Sequence, residues 1–304
     1  MISLSSALEA VAQDTLPDLS DAQLRQYRET GFLVIENVLS EEDLERLRVG
    51  IDRFIDGSRQ VICHDDVYDL EEDHTPENPH VRRVKDPDFH DNAFQALIHH
   101  PRIVAVMEGL IGPGVRYDKS KLNMKSGGGG SPVEWHQDWA FYPHTNDDLC
   151  AVGVMIDDMT MDNGPLLVVP GSHRGPVYDH HYEGYFCGAV TDPAATGIYA
   201  AAEPLLGCAG AITVHHVRAL HGSAPNVSDQ PRRLLLMQMR AADAWPLTES
   251  ITDMDAFNAK LVTGSPLVAP RMVNVPVRLP LPPSRHQGSI FEVQRDTPQR
   301  RFAV

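Results

Sequence analysis

Ser20-Asp21-Ala22-Gln23 has the form of a capping box, and Leu24 and Tyr27 follow it at helical spacing. Gly31 stops that helix, and the apolar run Phe32-Leu33-Val34-Ile35 predicts a short strand. A second helix start at Ser40-Glu41-Glu42-Asp43 leads into Leu44, Leu47, Ile51 and Phe54. At i, i+3, i+7 and i+10 these form one buried face. Residues 56–92 are polar and rich in Asp, His and Pro, and predict a long irregular segment of the kind that carries function or stays disordered. One helix is expected over about 92–110, from Asn92 through Ala93, Leu97, Ile103 and Val106 to a stop at Gly112.

From about 115 the pattern changes. Short apolar runs at 152–156, 166–169, 211–214 and 234–239 alternate with Gly, Pro, Asp and Asn turns, which predicts many short strands and a sandwich or barrel. Gly127-Gly128-Gly129-Gly130 is a flexible loop; without a following Lys-Ser/Thr it is no phosphate-binding loop. One more helix is expected within 251–264. The remainder, with Pro266, Pro270, Pro276, Pro280, Pro282 and Pro283, reads as extended coil. There are no internal repeats. The expected organisation is a single domain over 1–304. A mainly helical part (1–112) packs on a β core (115–245), followed by a C-terminal segment (246–304).

Composition narrows the partners. The 304 residues are 42% hydrophobic, enough for one sizeable core. Lys and Arg number 26 against 42 Asp and Glu, a formal charge of −16 that argues for solubility and against nucleic acid or anionic membranes as partners. Cys63, Cys150, Cys187 and Cys208 form no CxxC pair, so neither a disulfide scaffold nor a Cys-based zinc site is expected, and a reducing cytoplasm fits. Residues 1–4 start no signal peptide, and no stretch reaches the ~20 apolar residues that cross a bilayer. The ending Arg301-Phe302-Ala303-Val304 is no peroxisomal address.

The chemistry concentrates in Glu134-Trp135-His136-Gln137-Asp138-Trp139. On a strand, residues i and i+2 face the same side, so His136 and Asp138 are expected to point together as two corners of a metal site. The third corner falls to His221, in Arg218-Ala219-Leu220-His221-Gly222-Ser223, with His215 and His216 as alternatives. Two histidines and one carboxylate are the facial triad of non-haem Fe(II) oxygenases. Arg232, at the start of the 234–239 run, offers a planar fork for a carboxylate, and Ser223 a hydroxyl for the same group. Its neighbour Arg233 reads as a solvated charge.

Taken together, these residues resemble the phytanoyl-CoA dioxygenase (PhyH) family of Fe(II)/2-oxoglutarate oxygenases. The resemblance rests on Trp135-His136-Gln137-Asp138 with Tyr142-Pro143, on Asn163-Gly164-Pro165-Leu166, on Pro170-Gly171-Ser172-His173-Arg174-Gly175, and on His221-Gly222-Ser223 with Arg232. It implies a mainly β fold with flanking α-helices around a double-stranded β-helix (jelly-roll, cupin-like) core. It further implies Fe(II) on His136, Asp138 and His221, and 2-oxoglutarate on Arg232 and Ser223. O2 would be the oxidant and hydroxylation of a small organic molecule the outcome, with no catalytic group beyond the metal centre. Because Asp138 is present where related halogenases carry a small residue, hydroxylation is favoured over halogenation. Members of the family oxidise acyl thioesters, amino-acid derivatives, phosphonates and natural-product skeletons.

Other features read more plainly. Pro170-Gly171-Ser172-His173 is a turn at the barrel mouth, since GSHRG is not the nucleophile elbow GxSxG. His180, His181, Tyr182 and Tyr185 read as surface or lid residues. Arg82-Arg83-Val84-Lys85 reads as ordinary surface charge, or, with Arg83 the better candidate by analogy with the family, as a contact to an anionic group. Gln137, Trp139, Phe141 and Arg83 are the expected pocket residues. Two rivals remain: a zinc hydrolase or 2-oxoglutarate-independent iron enzyme on the same residues, which would need no buried cation at Arg232, and a non-catalytic binding module, which would be free to lose ligands.

Overall fold

The computed structural model describes residues 19–302, so the readings made on residues 1–4 and on Ala303 and Val304 lie outside the described residues. Helix α1 (Asp21–Thr30) begins as the capping box requires: Ser20 Oγ accepts from Gln23 N at 3.3 Å, and the Gln23 side chain accepts from Ser20 N at 3.0 Å. It ends at Gly31, and the chain enters β1 (Phe32–Ile35). Helix α2 (Glu41–Ser58), capped by Ser40, buries Leu44, Leu47, Ile51 and Phe54 as their spacing predicts. Each such side chain stabilises the fold by roughly 1.5–3 kcal/mol.

Two expectations fail in this part of the chain. Segment 56–92 is not irregular throughout, since it holds β2 (Tyr68–Leu70) and β3 (Val81–Lys85), an antiparallel pair. Charged residues hide β3 in the sequence: Arg82 and Arg83 are buried there because Glu71 and Asp69 neutralise them. The helix expected over 92–110 is two, α3 (Asn92–Leu97) and α4 (Pro101–Ile111). Pro101 forces His100 into an extended conformation and opens the second helix instead of continuing the first.

The remaining elements are β4 (Val115–Lys125), β5 (Val133–His136), β6 (Leu149–Met155), β7 (Leu166–Val168), β8 (His181–Tyr182), β9 (Tyr185–Phe186), β10 (Glu203–Pro204), β11 (Ile212–His216), β12 (His221–Ser223), β13 (Arg232–Ala241), α5 (Met254–Ala259) and α6 (Ile290–Val293). The short α5 falls within the expected 251–264, whereas α6 interrupts a stretch expected to be coil. The fold is mainly β with some helices. One sheet runs β1-β11-β6-β13-β4-β3-β2 and a second β10-β7-β12-β5, with β8 and β9 as a separate hairpin. The largest apolar cluster joins Leu47, Ile51, Phe94, Ile103 and Met107 of the helices to Val152, Val154, Leu235 and Met237 of the seven-stranded sheet.

The Pro170-Gly171-Ser172-His173-Arg174 segment is a turn, as expected, but it clamps the N-terminal helix. Gly171 N donates to Thr30 O at 2.8 Å, Arg174 Nη2 to Glu29 O at 2.8 Å, and His173 Nε2 lies 3.2 Å from Arg28 O. Gly31 makes this contact possible: its φ is +84°, and a Cβ there would fall 2.4 Å from His173 Nδ1. Gly31→Ala therefore costs both left-handed strain and a clash, and is expected to lower stability by about 1–3 kcal/mol. Gly129→Ala, where a Cβ meets nothing within 4 Å, is the neutral control in the same thermal denaturation.

Candidate active site

The two histidines of the HxD motif and the later His-Gly-Ser meet because of strand pairing. Strand β12 lies between β7 and β5, both antiparallel to it, and its register sets His221 opposite His136. The imidazole centroids are 4.1 Å apart. Asp138 arrives differently from the sequence expectation. Strand β5 ends at His136, and Asp138 opens a 3-10 turn (Asp138–Ala140), so the two side chains do not converge by alternation along one strand. The turn instead brings Asp138 Oδ1 to 3.7 Å from His136 Nε2. One ligand atom from each of His136, Asp138 and His221 lies within 4.8 Å of the others, and all three residues are buried. That is the span of one coordination sphere.

Hydrogen bonding sets the tautomers. His136 Nδ1 lies 2.8 Å from Glu134 O and His221 Nδ1 3.0 Å from Ala219 O, so each Nδ1 carries the hydrogen and each Nε2 keeps a lone pair. Burial pulls the His136 pKa down to about 4 and that of His221 well below the usual histidine range. Burial alone would raise Asp138, but the facing His215, His221 and Lys121 hold its carboxyl well below the ordinary range. Neutral imidazoles with an ionised carboxylate are the states a metal requires. His215 sits beside this group, its Nε2 3.7 Å from Asp138 Oδ2 and its ring centroid 4.4 Å from that of His221. His216 is engaged elsewhere, accepting from Arg218 N at 3.1 Å.

The cluster faces a small cavity between the two sheets. Ser223, His136 and His221 line it from the four-stranded sheet, and Lys121, Lys125 and Arg232 from the seven-stranded one. Arg232 is 3% exposed and forms no ion pair among the described residues, and its Nε has no partner. Burial lowers its pKa to about 10. Lys125 stands directly across the β4–β13 ladder from it. Its ammonium donates to Ser223 Oγ at 2.9 Å and to the Ala224 carbonyl. Burial and the adjacent Arg232 drive its pKa well below the usual lysine value. Two buried cations without a carboxylate form a site for an anion. Arg233, read as solvated, binds Asp157 with Nε at 2.8 Å.

A second cavity, of about 250 Å3, opens beside the first and shares Lys121, Leu236 and Ile290 as a common wall. Asp138, Arg83 and Phe141 line it, as do Lys85, Lys119 and Tyr142. The surface-charge reading of the Arg82-Arg83 pair fails, because both are buried. Gln137 and Trp139, expected in the pocket, line neither cavity. Gln137 donates to Pro176 O and Arg218 O and accepts from Tyr178 N, so its side chain ties the loop after β7 to the β11–β12 connection. Trp139 packs against Leu149, Val217 and Ala241 and donates to Pro276 O at 2.9 Å. His180, expected at the surface, is 1% exposed and accepts from Gln137 N at 2.9 Å. Lys125 and Lys121 were missed. The signal for them was the alternation Lys119-Ser120-Lys121-Leu122-Asn123-Met124-Lys125, which sets the polar side chains of one strand on one face.

Comparison with known proteins agrees with this geometry. The family model described as phytanoyl-CoA dioxygenase (PhyH) matches residues 27–234. A protein of Stutzerimonas stutzeri described as a probable alpha-ketoglutarate-dependent hypophosphite dioxygenase is 37% identical over 290 residues, which cover 92% of this chain and 99% of the relative. L-proline trans-4-hydroxylase of Streptomyces griseoviridis is 31% identical over 240 residues, covering 72% of this chain and 85% of the relative. Among solved structures, EctD from S. alaskensis with 2-oxoglutarate and 5-hydroxyectoine superposes with a TM-score of 0.59 at 22% identity, covering 74% of this chain and 77% of that one.

Proposed function

The chain belongs to the phytanoyl-CoA dioxygenase (PhyH) family, and from that membership we propose that His136, Asp138 and His221 hold Fe(II) while Arg232, Ser223 and Lys125 receive 2-oxoglutarate. The protein is an Fe(II)- and 2-oxoglutarate-dependent dioxygenase acting on a small molecule. For a hydroxylation the balance is substrate–H plus O2 plus 2-oxoglutarate giving substrate–OH, succinate and CO2. The observation that carries the residue assignment is the pairing of Nε2-presenting histidines with an ionised carboxylate, opposite two buried cations that form no ion pair among the described residues.

Iron held by His136, Asp138 and His221 would supply activation of O2 and a Lewis-acid site for the 2-oxo acid end of the cosubstrate. The protein's own residues do the rest. The Glu134 and Ala219 carbonyls fix the imidazole orientations. Arg232, which forms no ion pair among the described residues, takes the distal carboxylate of 2-oxoglutarate as a two-pronged partner, and Lys125 adds a second positive charge while orienting the Ser223 hydroxyl. Phe141 and Tyr142 wall the neighbouring cavity, which Asp138 also lines and which would receive the substrate. The two facing sheets support a double-stranded β-helix (jelly-roll, cupin-like) core over 115–245 within a single domain, 1–304.

Anaerobic addition of Fe(II) and 2-oxoglutarate to metal-stripped protein tests this reading. A weak visible charge-transfer band saturating at about one equivalent is expected. Tight Zn2+ binding with no band would overturn it in favour of hydrolysis, and no metal binding would leave a non-catalytic module.

A further inference from the structure

The second cavity is positively charged in a protein whose net charge is −16. Arg83 and Lys85 from β3 and Lys119 and Lys121 from β4 line it. Asp69 takes both cations of β3, with 2.8 Å to Arg83 Nη2 and 3.1 Å to Lys85 Nζ. The lining itself offers Asp86 and Asp138, and Asp138 is committed to the metal. Four cations therefore face two carboxylates, Asp69 and Asp86, and about two positive charges stay unmatched. Lys121 is the sharpest case: it forms no hydrogen bond or ion pair among the described residues, and it stands on the wall shared with the cosubstrate cavity. Holding such a cation without a counter-ion costs free energy that a bound anion returns.

The volume sets a second limit. About 250 Å3 lies below the roughly 300–1,000 Å3 of pockets for drug-sized ligands. Phe141, Tyr142, Leu236, Ile290 and Val293 give the cavity apolar walls beside its cations, and its enclosed part suits a small substrate.

From charge and size together we infer that the substrate is a small oxyanion, of phosphorus or of a carboxylic acid, held by Lys121 and Lys119 with its oxidisable bond toward Asp138. The inference rests on the dioxygenase reading and adds the substrate class to it. Lys119 Nζ lies 5.7 Å from the Tyr142 ring centroid, so the aromatic face steadies that cation at the cavity mouth. A zwitterion such as L-proline would need a carboxylate for its ammonium group. With Asp138 committed to the metal, the lining leaves Asp86, and Lys119 and Arg83 already face it.

The test uses the anaerobic protein loaded with Fe(II) and 2-oxoglutarate, with hypophosphite, methylphosphonate, acetate, L-proline and ectoine as separate probes. Binding is read as a shift in the charge-transfer band, and turnover as probe-dependent succinate release in air. Saturable shifts with at least one of the three anions are expected, with the anion that responds telling phosphorus from carbon. Lys121→Gln should weaken that anion at least tenfold and Lys121→Arg should restore it, the band reporting in each sample whether the cosubstrate site has survived. Saturation by L-proline or ectoine and by none of the anions would overturn the substrate class while leaving the dioxygenase reading intact. Loss of the band itself in Lys121→Gln would overturn the assignment of Lys121 to substrate. Absence of the band in the unaltered protein would instead strike the reading on which this inference rests.

Discussion

Asp138→Ala is expected to abolish turnover and stoichiometric Fe(II) binding while leaving the protein folded. Asp138 is buried, and three groups, His215, His221 and Lys121, hold it ionised. Partners that merely orient a ligand cost roughly 10–100-fold in metal affinity or activity when removed, so loss of a ligand should exceed that range. Removing the carboxylate also takes away the charge that faces Lys121, so a modest loss of stability is expected beside the loss of metal. His136→Ala should behave alike. Iron content, succinate release and far-UV circular dichroism on the same samples decide the matter. A folded variant that keeps both iron and turnover would move the centre toward His215, whose ring already stands beside His221.

The second large effect lies at Arg232. Truncating one member of a buried charge pair costs about 2–5 kcal/mol, or about 30-fold to several-thousand-fold in affinity. Arg232→Ala is therefore expected to raise the 2-oxoglutarate requirement by that factor and to erase the charge-transfer band at ordinary cosubstrate concentrations. Stability should respond in the opposite sense. Without ligand, Arg232 is a buried cation whose Nε has no partner, set across the ladder from the buried Lys125. Arg232→Met removes that repulsion at similar volume, so the apo protein should melt no lower than the unaltered one. The rise in Tm that 2-oxoglutarate gives the unaltered protein should vanish. An Arg232→Ala variant that keeps full, cosubstrate-dependent turnover would sink the assignment.

Chemistry was more legible in the chain than geometry. The HxD motif, the later His-Gly-Ser and Arg232 could be read because a facial triad and a carboxylate clamp need rare residue types in a set order. The pairing of β5 with β12, which sets His136 beside His221, leaves no local mark, since register is a long-range property. Strand β3 was hidden for a different reason: Val81-Arg82-Arg83-Val84-Lys85 looks solvated until Asp69 and Glu71, supplied by a neighbouring strand and turn, neutralise it. The same blindness covered the substrate cavity, because four lysines and arginines on two strands become one electrostatic feature only when β3 and β4 lie side by side. Gln137 shows the converse. Its place inside the motif suggested substrate contact, whereas its side chain is consumed by three main-chain partners.

The position of β1 has a consequence for how the protein is made. Phe32–Ile35 pairs with Ile212–His216, so the first strand among the described residues is an edge of the large sheet and its partner is made much later. At ~5–20 residues per second, β1 waits on the order of ten to forty seconds on the ribosome before β11 emerges. During that interval an apolar strand with unpaired backbone groups is open to association with other nascent chains. The α1 helix that precedes it is capped at both ends but only ten residues long, so it offers the waiting strand little protection before the 171–174 turn arrives to clamp it. Yield in a rapid expression host should therefore depend on temperature and on chaperone supply more steeply than the stability of the finished fold suggests.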